Sequence, residues 1–316
     1  MNTPPVGRFA PSPTGRMHLG NIYAALMSWL SVRSRGGRWI LRIEDLDPGR
    51  SRPEYARQLE EDLLWLGLDW DEGGIDGIGP NGPYCQSLRG EIYSRYFDRL
   101  HAAGAVYPCT CTRADIMATQ APHRSDGAVV YAGTCRPADG MPYDPARLLK
   151  PHSWRIALPD KTIAIDDMVC GRVKINPARE MGDPVVRRSD GAWAYQLAVA
   201  VDDALMGVTE VVRGNDLLVS AAVQTHILTL LGLPVPRYGH LPMLTDGAGR
   251  RLAKRDASLA MDALRRDYNP ASLTGHIAHM CGLRSTPEPI TPRTLAADFT
   301  IAPLAANQVI SLKQLD

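Results

Sequence analysis

The sequence predicts an α/β fold built on a parallel sheet. Two observations carry this expectation. Strand-like and helical patterns alternate from the N-terminus onward, as in a parallel α/β sheet. A continuous apolar run, Leu197-Ala198-Val199-Ala200-Val201, has the composition of a central parallel strand buried on both faces.

Val6 to Ala10 reads as the first strand, broken by the loop Pro11-Ser12-Pro13-Thr14-Gly15. From Leu19 the apolar spacing turns helical, with Ile22, Ala25, Leu26, Trp29 and Leu30 on one stripe. Gly36-Gly37 closes that helix. Trp39 to Ile43 is the second strand, and Glu54 to Leu66 a second helix stopped by Gly67. Glu91 to Ala103 is amphipathic. Cys109 to about Lys150 is irregular and reads as an insertion. Short strands follow at Trp154–Leu158, Thr162–Ile165 and Arg172–Ile175. Leu197–Val201 is expected as the central strand and Glu210–Gly214 as another. Asp216 to Leu231 is a helix with Gly232 beyond its end. From Ser258, helical patches are broken by prolines.

Bulk composition narrows the class. The chain has 316 residues, 45% hydrophobic and 22% charged, enough for about two domains and a normal core. A net charge of +1 excludes a surface coated in basic charge for non-specific nucleic-acid binding, but leaves room for a local patch. No signal-peptide pattern and no apolar run of about 18 residues occurs, so the expected location is the cytoplasm. In a reducing compartment, the clustered cysteines among the six at 85, 109, 111, 135, 170 and 281 suggest metal before disulfides.

The strongest local feature is Arg8-Phe9-Ala10-Pro11-Ser12-Pro13-Thr14-Gly15-Arg16-Met17-His18-Leu19-Gly20-Asn21. A strand enters a Pro/Gly loop that opens a helix, and backbone N–H groups at a helix start attract phosphate. His18 is placed to donate to a phosphate oxygen, and Gly15 and Gly20 to admit a ligand close to the backbone. A lone His-x-Gly would be read as an exposed turn histidine. The whole stretch resembles the first signature of class I aminoacyl-tRNA synthetases, in the form of the glutamyl/glutaminyl branch. Leu41-Arg42-Ile43-Glu44-Asp45-Leu46-Asp47-Pro48, Tyr195 to Asp203 and Gly207 to Gly214 resemble the same branch in the same order. Arg251-Leu252-Ala253-Lys254-Arg255 stands at the second signature. It keeps the second lysine as Lys254, but has Arg251 for the first and Ala253 for the serine.

Residue chemistry and resemblance point to the same substrate. Glutamate offers two carboxylates, which suit arginines such as Arg8 and Arg213, and an ammonium, which suits Glu44. Tyr195 would add a hydroxyl and a wall. A surface Arg8, a structural ion pair for Glu44 and core packing for Tyr195 explain each singly. The resemblance extends the glutamate set to Arg8, Ala10, Ser12, Glu44, Tyr195 and Arg213. It implies an ATP set of Pro13, His18, Gly20, Asn21 and Lys254, with His18 and Lys254 stabilising charge on the phosphates. ATP is expected with magnesium. Asp202-Asp203 reads as a strand-end cap or turn rather than a metal pair.

Cys109 and Cys111 face one side of an extended segment, and Cys135 follows Tyr131. Three thiolates and a fourth donor would hold one structural zinc. Chemistry alone favours His123 as the fourth ligand. The similar region of glutamyl-Q tRNA(Asp) synthetases, with Cys-x-Cys and Tyr-x-x-x-Cys, names Tyr131, and His123 stays as the alternative.

The resemblance implies a Rossmann-type catalytic domain split into 1–108 and 191–256, a zinc-stapled insertion at 109–190 and a small helical stem-contact-like region at 257–316. After Arg255 only 61 of the 316 residues remain, too few for the further domains of a full glutamyl-tRNA synthetase. The expected reaction is tRNA-independent activation of L-glutamate and transfer to queuosine in the anticodon loop of tRNA(Asp). No membrane or obligate protein partner is implied. The alternatives are a shortened glutamyl-tRNA synthetase charging the tRNA 3′ end, a small-molecule nucleotidyltransferase lacking the glutamate blocks, and a non-catalytic zinc-bearing tRNA-binding paralogue.

Overall fold

A computed structural model describes residues 3–118, 130–138, 141–245, 259–305 and 309–311. Strand β1 (Val6–Phe9) leads into helix α1 (Leu19–Arg33), and β2 (Arg38–Leu41) returns parallel to β1 with Val6 opposite Arg38. Helix α2 (Pro53–Leu66) and the short β3 (Glu72–Gly73), parallel to β2, complete this half. α1 lies tightly on β1, because a Cβ on Gly7 would stand 2.7 Å from Val32 Cγ1. α2 begins with Pro53 and ends on Gly67 at φ 80°, the conformation that glycine adopts without steric cost.

Helix α3 (Gly90–Ala102) leads to β4 (Val106–Cys109), α4 (Arg113–Ala118) and β5 (Ser153–Ile156). Next come the hairpin strands β6 (Ile163–Asp167) and β7 (Gly171–Ile175), then α5 (Pro177–Glu180) and β8 (Val185–Arg187). β4, β5 and β8 form an antiparallel sheet. The chain re-enters the parallel region through α6 (Tyr195–Leu205), β9 (Glu210–Gly214), α7 (Leu218–Leu231) and β10 (Arg237–Leu241). β9 and β10 pair in parallel. The Thr209 N–H donates to Val6 O at 2.9 Å, so the parallel strands lie across the molecule in the order β3, β2, β1, β9, β10. β11 (Met243–Thr245), α8 (Met261–Asp267), α9 (Pro270–Met280), α10 (Pro292–Ala297), α11 (Ala302–Ala305) and β12 (Val309–Ser311) follow, with β12 parallel to β11.

One expected element is wrong. Leu197–Val201 is not a central strand but the middle of helix α6. A short apolar run has no period that separates a strand from a helix buried on all sides. Here α6 packs among α3, α7 and β8, and residues 196–203 are all buried. A second difference concerns the prolines after Ser258. Pro270 and Pro292 open α9 and α10 rather than breaking helices, each preceded by a cap, Asn269 or Thr291, whose side chain accepts a backbone N–H.

The core explains why the last helices stay in place. Leu273, Ile277, Cys281 and Leu295 are buried in one cluster with Leu19, Ile22, Leu30 and Trp39. Each buried Leu or Ile contributes roughly 1.5–3 kcal/mol, so this shared cluster fastens the C-terminal helices to the first βα unit. Among the described residues, no helix is long and apolar enough to cross a membrane.

Candidate active site and cysteine cluster

The carboxyl ends of parallel strands and the loops after them are where ligands bind in such sheets. β1 delivers Arg8, the segment after β2 delivers Arg42 and Glu44, β9 delivers Arg213, and α6 opens with Tyr195. Arg8, Glu44 and Arg213 are buried and Tyr195 half-buried. All four share one electrostatic neighbourhood, because Glu44, Arg8 and Arg213 each act on the Tyr195 hydroxyl, whose pKa burial raises.

The centre of this cluster is ionic. Arg42 donates to Asp203 Oδ1 at 2.7 Å and to Glu44 Oε1 at 3.2 Å. Arg8 Nε donates to the same Asp203 oxygen at 3.4 Å. Asp202, one residue earlier, accepts from Arg89 Nε at 2.6 Å and from Gln86 and Tyr93 at 2.8 Å each. Asp202-Asp203 is therefore neither a strand-end cap nor a turn. The pair is helical and buried, and its negative charge holds three arginines. Burial pushes the Asp203 carboxyl up, but Arg42 and Arg8 outweigh it and hold the group below the ordinary carboxylate range. For Glu44 burial wins over Arg42 and Arg8, and its pKa lies above the ordinary value. The side-chain partner of Glu44 is Arg42, held through Oε1, so Oε2 has no protein partner among the described residues.

Arg213 is built differently. Its Nε donates to His240 Nε2 at 3.1 Å, and its terminal nitrogens donate to Gln224 Oε1 at 2.9 Å, Leu217 O at 3.2 Å and Tyr195 Oη at 3.4 Å. Its guanidinium lies over the Tyr238 ring, 5.4 Å from the centroid. Every one of these partners is formally neutral. Among the described residues no carboxylate lies within ion-pair distance of Arg213, although it is only 5% exposed. Its charge still reaches the Asp203 carboxylate, but no carboxylate touches it, and a buried cation without a contacting counter-ion suits an anionic ligand.

Beside this cluster, reached through Gly214, runs a cleft of about 440 Å³ lined by His18, Gly20, Asn21, Gly214, Asp216 and Leu244. A second, of about 330 Å³, includes Ser12, Thr14, Gly15 and Arg16 and shares His18 and Asn21 with the first. His18 is the N-cap of α1: its Nδ1 accepts the Gly20 N–H at 3.1 Å, while Asn21 Oδ1 accepts the His18 N–H at 3.1 Å. Nδ1 accepts, so the ring proton sits on Nε2. The two glycines expected to admit a ligand differ. A Cβ on Gly20 would press on the His18 ring at 3.0 Å, whereas one on Gly15 would meet nothing within 4 Å. Gly20 therefore serves the cap as well. Ala10 lies between two backbone bonds that join this loop to the strand-2 segment, Arg42 N–H to Phe9 O at 2.9 Å and Glu44 N–H to Pro11 O at 3.0 Å; Pro13 O accepts from Arg52 N–H at 3.0 Å.

Arg251, Ala253, Lys254 and Arg255, with the Asp246-Gly247 turn before them, lie outside the described residues, as does His123. The chain that follows them is anchored: the Met261 N–H donates to Met17 O at 2.9 Å, and Ala260 bridges His18.

The cysteines converge. The sulfurs of Cys109, Cys111 and Cys135 lie within 4.8 Å of one another, and those of Cys111 and Cys135 are 3.5 Å apart. Tetrahedral zinc with sulfur bonds of about 2.3 Å needs sulfurs roughly 3.8 Å apart, so the donor set fits. The Tyr131 hydroxyl stands 3.4 Å from Cys109 Sγ and 3.9 Å from Cys111 Sγ and accepts the Cys135 N–H at 2.8 Å. Burial pushes the Cys135 thiol up, but the Thr110 N–H and Tyr131 hydroxyl outweigh it and bring it down to about 7, which favours the thiolate that binds metal. These residues would hold the ion as a staple between β4 and the insertion.

Arg42, Asp167, Gln224 and His240 were missed by sequence reasoning. Arg42 had a signal, since i and i+2 on an extended segment place it beside Glu44. Asp167 and His240 had none, being 73 residues apart.

Residues 6–290 match the family model of class I tRNA synthetases (E and Q), catalytic domain. The Glutamyl-Q tRNA(Asp) synthetase of Symbiobacterium thermophilum is 48% identical over 96% of this chain and 94% of its own. The Glutamate–tRNA ligase 2 of Acidithiobacillus ferrooxidans is 44% identical over 93% of this chain and 61% of its own. The crystal structure of a glutamate tRNA ligase from Elizabethkingia meningosepticum, in complex with its amino acid, superposes with a TM-score of 0.84 at 27% identity, covering 99% of this chain and 68% of that one. The chain belongs to the class I tRNA synthetase (E and Q) family, on the branch of the Glutamyl-Q tRNA(Asp) synthetases, and is a ligase.

Proposed function

We propose that this chain activates L-glutamate with ATP on a Rossmann-type sheet in the cytoplasm, without tRNA, and transfers the glutamyl group to queuosine in the anticodon loop of tRNA(Asp). The observation that carries the reading is Arg213, a buried cation whose protein partners are all neutral, beside Arg8, Glu44 and Tyr195. A glutamate carboxylate completes that charge balance, the open Glu44 oxygen accepts the ammonium, and Ala10 and Ser12 border the pocket. Pro13, His18, Gly20 and Asn21 line the approach for ATP with its magnesium, and Lys254 supplies a second cation. The glutamate carboxylate attacks the α-phosphorus and pyrophosphate leaves; a queuosine hydroxyl then attacks the acyl carbon of the mixed anhydride, forming the ester and releasing AMP. Positioning and electrostatics supply this catalysis. The queuosine acceptor is supported by the name of the relatives matched along nearly their whole length.

The test is glutamate-dependent ATP–pyrophosphate exchange without tRNA, followed by transfer assays. Transfer to queuosine-containing but not unmodified tRNA(Asp) is expected. Transfer to the 3′ end of tRNA(Glu) instead would establish the shortened synthetase, the reading favoured by likeness to the Glutamate–tRNA ligase 2. No exchange with any amino acid would leave the non-catalytic reading.

For the cysteine cluster, one zinc per chain is expected by elemental analysis. Cys111→Ser and Tyr131→Phe separate the ligand assignments: the first should release zinc, and the second should weaken it only if the hydroxyl is the fourth donor. Retained affinity in Tyr131→Phe would return the assignment to His123.

A further inference from the structure

The parallel ladder sets His240 of β10 directly opposite Arg213 of β9, so both side chains leave the same face of the sheet. His240 is fully buried. One ring nitrogen, Nε2, lies 3.1 Å from Arg213 Nε, and the other, Nδ1, lies 2.6 Å from Asp167 Oδ2. An arginine Nε can only donate. His240 Nε2 must therefore accept, and the ring proton must sit on Nδ1, donated to Asp167. Asp167 is itself fixed at the end of β6. Its Oδ1 accepts three backbone N–H groups, from Val169 at 3.0 Å, Cys170 at 2.9 Å and His240 at 3.1 Å. The carboxylate has no cationic partner other than a protonated His240 among the described residues.

We infer that Asp167 and His240 form a positioning dyad that fixes the tautomer of His240 and, through Nε, the plane of the Arg213 fork; this rests on the reading of Arg213 as the glutamate carboxylate site. The logic is directional. Asp167 selects the Nδ1–H tautomer, that tautomer presents a lone pair to Arg213, and the bond at Nε orients the two terminal nitrogens that a carboxylate meets. The other ring states, with a proton on Nε2, would set two donors against each other and turn the guanidinium away. Neither Asp167 nor His240 needs to touch substrate. Their effect is on the orientation of a residue that does, as with the outer-shell partners that orient metal ligands.

The first test needs no variant. Nitrogen NMR of the wild-type protein with labelled histidine should show His240 neutral at pH 7, protonated at Nδ1 and bare at Nε2. A proton on Nε2 would overturn the inference. The second test is Asp167→Asn, whose amide offers Nδ1 a donor in place of an acceptor and drives the ring to the Nε2–H form. The KM for glutamate in pyrophosphate exchange should rise about tenfold or more, while the KM for ATP stays within about twofold. His240→Ala leaves the backbone bonds to Asp167 from Val169 and Cys170 in place and should give the same split. Equal changes in both KM values, or none, would reduce the dyad to packing. The inference and the reading beneath it fail separately. Wild-type protein without glutamate-dependent exchange refutes the reading, while active wild type, an Arg213→Ala variant defective for glutamate and unaffected dyad variants refute the dyad.

Discussion

Two sets of buried arginines flank the same pocket, and their partners divide the work. Arg42 and Arg89 are locked onto Asp202 and Asp203, with Arg8 on the Asp203 side. Arg213 is as deeply buried, yet its partners are a histidine, an amide, a carbonyl and a phenol. The first set is balanced inside the protein, so its charges hold α6 to the strand-2 segment. The second is held by direct contacts that are all neutral. Burial alone does not separate the two kinds of arginine; the presence or absence of a carboxylate in direct contact does.

The most severe way to break this comparison is Asp203→Ala. It leaves Arg42 and Arg8 facing each other in a buried site without their shared carboxylate. Urea denaturation should show a loss of about 3–5 kcal/mol, the usual cost of removing one partner of a buried pair. A loss below about 1 kcal/mol would mean that the acid pair does not hold the fold. Arg213→Ala should divide the other way. It removes a cation that no carboxylate contacts directly, so stability should fall less than in Asp203→Ala. The kcat/KM for glutamate should drop about 100-fold, close to 2.7 kcal/mol. An Arg213→Ala protein as unstable as Asp203→Ala, with unchanged glutamate kinetics, would erase the distinction.

The comparison also marks how far the sequence was legible. Local punctuation was readable, since Gly67 and Gly232 end α2 and α7 in the left-handed conformation that only a cheap φ permits. Cys109 and Cys111 were readable as neighbours because an extended segment puts i and i+2 on one side. Arg8 and Arg213 were readable as candidates from chemistry and resemblance, but not the difference in their partners. That difference depends on strand order: β9 beside β1 brings Arg213 near Arg8, and β10 beside β9 brings His240 to Arg213. The apolar run before Asp202-Asp203 predicts a strand, whereas both carboxylates lie on helix α6. In a helix the two carboxylates point about 100° apart, which is how one reaches Arg89 while the other reaches Arg42.

The smallest and sharpest test concerns Glu44, whose one oxygen is held by Arg42 and whose other has no protein partner among the described residues. Burial raises its pKa above the ordinary carboxylate value despite Arg42 and Arg8. As pH falls through that raised value, Glu44 takes a proton, and on the proposed reading it then loses its attraction for the glutamate ammonium. The KM for glutamate should therefore rise as pH falls, starting above the ordinary carboxylate range, while the KM for ATP stays level. Stability moves oppositely in that window. The folded state binds the Glu44 proton more readily than the unfolded chain, so protonation of this group favours folding. Asp203, whose folded pKa is lowered, contributes stability present above its unfolded value and lost as pH falls through its lower, folded value. A rise in KM with undiminished stability thus separates loss of the ammonium acceptor from unfolding. Glu44→Gln should flatten the profile at a uniformly high KM; a profile that keeps its wild-type shape in that variant would assign the titration to another group and leave Glu44 with its structural bond to Arg42 alone.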